Sequence, residues 1–313
     1  MKKLDNVSLE EIKKWVYRNA RPLEIAIWQY EFENGSKEAI LSSLSNYQNE
    51  DGGFGNALEP DLWNPNSSPY TTLYAIKILK SINFTDTKHP IIQGIFRFIE
   101  SRIHSNENGW LFSIPSNDPY PHAPWWTYNV DANKYENIGV TAGICCFILT
   151  FASKESQIYK DVLTIVDKLI ARLKMPENNG EMGVGGYCEL IETLPQLGLS
   201  NRYDMDSIAN TVKKLVDQAI EHDVSKWAYY GKTPASFIAS PDSFLYKENE
   251  ELMQIELDYI IEKRQVNGVW NITWSWFDHN EIYAKEFAIS ENWWKSVIAI
   301  EKLKLLRNFD RIG

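Results

Sequence analysis

Apolar residues recur at helical spacing through most of this chain, and the polar positions between them carry signals that start and stop helices. Ser8-Leu9-Glu10-Glu11 has the form of a capping box and opens a helix to about Asn19. Pro22 starts a second helix, with Ile25, Ile27, Trp28 and Phe32 as its apolar stripe, and Asn34-Gly35 ends it. Ser36 caps a third, through Leu44. The same periodicity predicts helices over Tyr70–Ile82, Pro90–Ile103, Glu136–Ala152, Glu155–Leu173, Gly185–Leu197 and Glu248–Lys263. A further one, capped by Asp206 or Ser207, runs to His222, and the last covers Glu291–Asn308. Only Val269–Trp276 alternates as a strand does. The pattern therefore predicts an all-α protein of about twelve helices with minimal β structure.

Two stretches carry no periodicity, about Gln48 to Pro69 and Ser105 to Lys134, and loops of that length inside a compact domain are often functional. The first holds Gln48-Asn49-Glu50-Asp51-Gly52-Gly53-Phe54-Gly55, followed by Asn56-Ala57-Leu58-Glu59-Pro60-Asp61-Leu62-Trp63. This motif has echoes. Gln265-Val266-Asn267-Gly268-Val269-Trp270 is the best, Asn106-Glu107-Asn108-Gly109-Trp110 is weaker, and Asn178-Asn179-Gly180-Glu181-Met182-Gly183 weaker still. Helices after the two best copies share apolar spacing, Ala75-Ile76-Lys77-Ile78-Leu79 against Ala299-Ile300-Glu301-Lys302-Leu303. Repeated helix–turn–helix units cannot bury their faces alone, and stacking them into a ring of hairpins is the economical solution. In physical terms, Asp-Gly supplies a turn with φ > 0, the aromatic packs on it, and the Gln amide satisfies groups at a helix end.

Gln48-x-x-Asp51-Gly52-Gly53-Phe54 resembles the repeat signature of the squalene/terpene cyclase and protein prenyltransferase β-subunit superfamily. The resemblance implies an α-α toroid, a single domain over residues 1–313 with helices in two layers around a central, aromatic-lined pocket. The longer block Asp51 to Asp61 is similar to a set of bacterial proteins without an assigned activity. The chain departs from the enzymes of that superfamily in three places. It has no Asp-x-Asp-Asp motif: Asp204-Met205-Asp206-Ser207 is nearest and reads as a helix cap. It has no aspartate-rich Asp-Asp-x-x-Asp helix for Mg²⁺-diphosphate, and none of its cysteines has an Asp two residues before it, as a prenyltransferase zinc site would.

Composition narrows the classes. A formal charge of -10 without a cluster of Lys/Arg argues against nucleic acid. Cys145, Cys146 and Cys188 are an odd number without metal spacing; they read as small core residues and point to a reducing, cytoplasmic location. No secretory signal opens the sequence, and the longest apolar stretch, about Ile138 to Ala152, is too short to span a bilayer. Gly139 and Gly143 within it would let another helix approach closely. Aromatic residues make up 13% of the chain, and several stand in loops, where a rim around a cavity would bury them.

Candidate chemistry falls in those loops. Glu59 and Asp61 flank Pro60, and two carboxylates in an aromatic site can divide their pKa values and serve as acid and base; their plainer role is capping or pairing with Arg. His122, in Pro121-His122-Ala123-Pro124-Trp125-Trp126-Thr127-Tyr128, is the histidine held between prolines, with Asp131 placed to orient it; its plainer role is a loop anchor. Trp63, Trp125, Trp126, Tyr128, Trp274 and Trp276 are the candidate substrate-binding aromatics, with core packing as the alternative for the last two. If the toroid holds, Glu59, Asp61, His122, Trp125 and Trp276 face one cavity. The sequence assigns neither a metal nor a cofactor, and leaves open whether the chain is an enzyme. The partner expected is a small molecule. It is an isoprenoid if the resemblance extends to activity, or a sugar stacked on Trp and Tyr and cut by a glycosidase or lyase using Glu59, Asp61 and His122. A binding protein without chemistry is the third possibility.

Overall fold

The computed structural model describes residues 1–175, 178–266 and 268–313. Among the described residues the protein is all-α, with twelve helices and one two-stranded ribbon. In chain order these are α1 (Asn6–Asn19), α2 (Pro22–Phe32), α3 (Lys37–Ser45), α4 (Pro69–Ser81), α5 (Pro90–Glu100), β1 (Ser105–Asn106), β2 (Gly109–Trp110), α6 (Asn133–Phe151), α7 (Gln157–Leu173), α8 (Gly180–Gln196), α9 (Met205–Ala219), α10 (Tyr246–Glu262), α11 (His279–Ile282) and α12 (Ala284–Asn308). No helix among the described residues is long and apolar enough to cross a membrane. The chain divides into two compact units, one of Met1–Leu44 with Asp217–Gly313, the other of Ser45–Val216.

Several expected boundaries shift, each for a local reason. The cap of α1 is Asp5 and not Ser8: the Asp5 carboxylate accepts the Ser8 amide at 2.7 Å, and that hydrogen bond holds its pKa below the ordinary range. Asp204, two positions before Asp206, the nearer of the expected pair, accepts the Ser207 amide at 3.1 Å at the start of α9. The expected strand over Val269–Trp276 is irregular. Val269 and Trp270 are buried as neighbours, which a half-buried strand forbids, and the Trp270 indole donates to Ile260 O at 2.7 Å. The ribbon instead forms at the second echo, where Ser105 faces Trp110 and Asn106 faces Gly109. The third echo is no turn of this kind: Gly180 begins α8, under an Asn178 side chain that accepts its amide at 2.8 Å, and Pro176 and Glu177 just before it lie outside the described residues.

The two best copies of the motif are turns of one design. In the first, Asn49 N–H donates to Gly53 O and Gly52 N–H to Asn49 O, both at 2.9 Å; in the second, Gln265 N–H donates to Val269 O and Gly268 N–H to Gln265 O, both again at 2.9 Å. Gly52 has φ +91° and Gly268 φ +108°, the left-handed region that favours glycine. The buried aromatics Phe54 and Trp270 follow two residues later. This register equates Gln265 with Asn49, so the counterpart of Gln48 is Arg264. Gln48 Nε2 donates to Gly52 O at 2.9 Å and to Ile91 O of α5 at 3.0 Å. Arg264 donates to Gly268 O at 3.3 Å and to Ser8 Oγ of α1 at 3.0 Å, and pairs with Glu11 at 2.9 Å. Each turn is thus clamped, by the residue four before its glycine, onto a helix of its own unit. Asn267 lies outside the described residues.

In the Ser45–Val216 unit, α6 is the buried centre, with residues from Ile138 to Leu149 all inaccessible. Its glycines permit close neighbours, as the sequence suggested. A Cβ on Gly139 would lie 2.5 Å from Met182 O of α8, and one on Gly143 would lie 2.6 Å from the Leu73 side chain of α4. The three cysteines are free and buried, and burial pushes the Cys188 thiol up to about 12.

Candidate functional site

The two long loops meet within the Ser45–Val216 unit. Leu62 pairs antiparallel with His122, Trp63 N–H donates to Pro121 O at 3.0 Å, and Ala123 N–H donates to Asp61 O at 2.9 Å. Glu59 and Asp61 are 2% and 1% exposed, so both residues are buried within this unit, in the loop that pairs with the His122 segment. The polar groups of the His122 loop are used by the loop itself. His122 Nδ1 lies 2.6 Å from Tyr120 O, which only accepts, so Nδ1 carries a proton; Nε2 lies 2.9 Å from Thr127 Oγ1. The ring is oriented by its own loop, while Asp131 is exposed and pairs with Lys134 at 2.6 Å, an interaction that lowers the Asp131 pKa. Asn64 donates to Asn117 at 2.9 Å, and Asn117 donates to Trp126 O at 2.9 Å, so buried asparagines stitch the loops together.

The aromatic candidates separate. Trp126 is buried against Tyr70 and Phe112, with ring centroids 4.2 and 4.7 Å away. Trp63 donates to Pro60 O at 2.9 Å and braces the Glu59–Asp61 turn. Trp125 is exposed and Tyr128 half-buried. Trp274 and Trp276 belong to the other unit. There Trp276 is fully buried and packs near Phe287, at 5.8 Å, whereas Trp274 lines a cavity.

That cavity, about 570 Å³, lies within the unit of Met1–Leu44 and Asp217–Gly313, in the size range of small-molecule sites. Trp227, Tyr259 and Trp274 face it, with Ile298 and Leu305 of α12. The indole of Trp227, placed by a 3-10 turn at Val224–Lys226, is anchored to Glu221 O at 2.6 Å and meets Tyr259 edge-on at 5.4 Å. Trp274 stands edge-on to Trp294 at 5.3 Å. Asn271, Thr273 and Asn308 add polar groups.

Four charged residues line the same space: Glu301 is exposed, Lys304 pairs with Glu31 at 2.6 Å, and Glu256 and Lys302 are the two that bear on the site. Glu256, on the apolar stripe of α10 with Met253, Leu257 and Ile260, is 4% exposed. It accepts the Ala235 amide at 2.7 Å, at a 3-10 turn over Pro234–Ser236, and the Thr233 hydroxyl. Burial raises its pKa against those hydrogen bonds. Lys302, half-buried on α12, stands one helical turn from both Ile298 and Leu305. Among the described residues it makes no ion pair; its Nζ lies over the face of Trp270, 5.4 Å from the ring centroid. Burial lowers its pKa to about 8, while Glu256 and Glu301 pull it upward. Neither residue is among the candidates that the sequence offers. The signal present was a charged residue at a helix position whose i±3 and i±4 neighbours are apolar.

A lysine whose folded pKa is depressed to about 8 binds a proton less readily in the folded than in the unfolded chain. Its charge therefore costs stability below pH 8, and stability rises with pH from about 8 to the unfolded lysine value. Lys302→Met is expected to stabilise the protein by about 1–3 kcal/mol at pH 7, with the gain shrinking by pH 9.5. Urea unfolding of both proteins at the two pH values measures this; a destabilised variant would contradict it.

Among the described residues, no group of three or more His, Cys, Asp or Glu side chains is arranged to hold a metal ion. Comparison with protein-family models and with curated proteins found no match to either.

Proposed function

We propose that this chain is a small-molecule-binding protein of toroid type, and that its ligand is a compact molecule with an apolar body held in the cavity of Trp227, Tyr259 and Trp274. One observation carries the reading: a cavity of about 570 Å³ with aromatic walls also holds a buried carboxylate and a lysine outside any ion pair of the described residues. Charged groups are kept in such surroundings at a cost, and sites that bind or transform ligands are where that cost is repaid. The toroid is supported by the two turns of one hydrogen-bonding pattern, each clamped to a helix, which is the construction a ring of helical hairpins repeats. The resemblance to prenyl-handling proteins favours an isoprenoid among apolar ligands. The buried free cysteines favour a reducing, cytoplasmic setting.

A sugar is the second reading, favoured by Asn271, Thr273 and Asn308 beside the tryptophans. Glu59 and Asp61 are kept as an acid/base pair only in a third, favoured by their burial two residues apart. A thermal-shift panel separates the three, because a ligand of the native state raises Tm by mass action. Apolar alcohols and prenyl diphosphates, with and without Mg²⁺, are set against oligosaccharides. A shift with the apolar set, lost in Trp274→Ala, is the expected result. A shift with oligosaccharides that Trp274→Ala leaves intact and Glu59→Gln removes would transfer the site to the loops.

A further inference from the structure

Of the charged groups lining the cavity, Lys304 pairs with Glu31 at 2.6 Å and Glu256 accepts from Ala235 and Thr233, whereas Lys302 lies over the face of Trp270. A lysine kept to bind an anion would stand clear of carboxylates. Here Glu256 of α10 lines the same cavity and pulls its pKa upward, and Glu301 stands next to it on α12. An amine with apolar walls and a carboxyl nearby is equipped for another task, attack on a carbonyl carbon. Resting on the small-molecule reading above, we infer that the cavity takes a small aldehyde or ketone with an apolar body, and that Lys302 captures it as an imine.

The step balances without a further reactant. The neutral amine's lone pair forms the C–N bond while the carbonyl π pair moves to oxygen, and the ammonium proton transfers to that oxygen, giving a carbinolamine. The Glu256 carboxyl then protonates the hydroxyl, the C–O bond breaks, water leaves, and C=N forms. The proton remaining on nitrogen returns to the Glu256 carboxylate. One amine and one carbonyl give one imine and one water. Burial supports the first stage, since a pKa of about 8 leaves a usable share of Lys302 neutral near pH 7. Glu256 supports the second: burial raises its pKa, so it keeps a proton to higher pH than a surface carboxylate does.

The test is reductive trapping on the full-length protein with benzaldehyde and cyanoborohydride at pH 7, followed by peptide mass spectrometry. Benzyl alcohol serves as a matched ligand that cannot form an imine. The expected result is a benzyl adduct on Lys302 formed roughly tenfold or more faster than on surface lysines. Its rate should rise with a midpoint near 8, slow in Glu256→Gln and vanish from this site in Lys302→Arg. Labelling of wild-type Lys302 no faster than the surface average overturns the inference and needs no variant to fold. If benzyl alcohol still raises Tm in that case, the cavity reading stands and only the imine falls. If it does not, both fall.

Discussion

Gly52→Ala is expected to lower stability by about 3–5 kcal/mol, enough to leave little folded protein in a domain of ordinary marginal stability. Two costs add. Gly52 stands at φ +91°, where a Cβ is strained, and that Cβ would overlap the Gly94 carbonyl of α5, which is backbone and cannot swing aside. The Gln48 clamp, which joins this turn to α5, would be pushed out of register by the same shift. Gly268→Ala is the internal control. Its φ of +108° is equally unfavourable, but the nearest atom to a Cβ there, Glu11 O, is 3.4 Å away. It should cost about 1–2 kcal/mol. Equal losses in urea unfolding would show that backbone strain alone, and not docking on α5, sets the cost.

Arg21→Ala is expected to destabilise by about 3–5 kcal/mol because it strands a buried carboxylate. Arg21 and Glu24 are 6% and 2% exposed, and the guanidinium grips Glu24 with two hydrogen bonds of 2.9 and 2.6 Å. Arg21 also lies over the Trp293 ring at 4.9 Å, so the α1–α2 corner rests on α12 through it. Replacing both charges, Arg21→Met with Glu24→Met, removes the desolvation penalty together with the attraction and should recover most of the loss. Chemical denaturation of the single and double variants reads this directly. A double variant as unstable as Arg21→Ala would mean that packing around Trp293, not the orphaned charge, carries the effect.

How far the sequence revealed these features depends on how local each one is. Pro22 at the start of α2 and the glycines of α6 were legible because steric rules fix them within a few residues. The full length of α12 was not: it begins at Ala284, before the expected Glu291, and in the additional turns half-buried Phe287 packs against Trp276, a contact that lies outside the helix. Val269–Trp276 alternates in sequence, yet a strand needs a neighbour, and Trp270 spends its donor on Ile260. The clamp role of Arg264 was hidden because alignment by residue type drew Gln265 onto Gln48, while the hydrogen bonds place the pair one residue earlier. The loops of Glu59 and His122 stand out in the sequence one at a time, but their meeting at Leu62 and His122, and the ring partners Tyr120 and Thr127, come from chain reversals that spacing does not display. Lys302 and Glu256 were legible one helix at a time, as charges on apolar faces. Their convergence on one cavity depends on how α10 and α12 pack, which periodicity leaves undetermined.

The place of the ligand decides between the cavity and the loops. Side-chain indole N–H signals of the tryptophans, assigned by single Trp→Phe variants and followed by NMR during titration with a ligand from the thermal-shift panel, report it directly. The cavity reading predicts that Trp227 and Trp274 move with the titration while Trp63 and Trp126 stay fixed. Movement of Trp63 and Trp126 with Trp227 and Trp274 unchanged would contradict it and return the site to the loops of Glu59, Asp61 and His122.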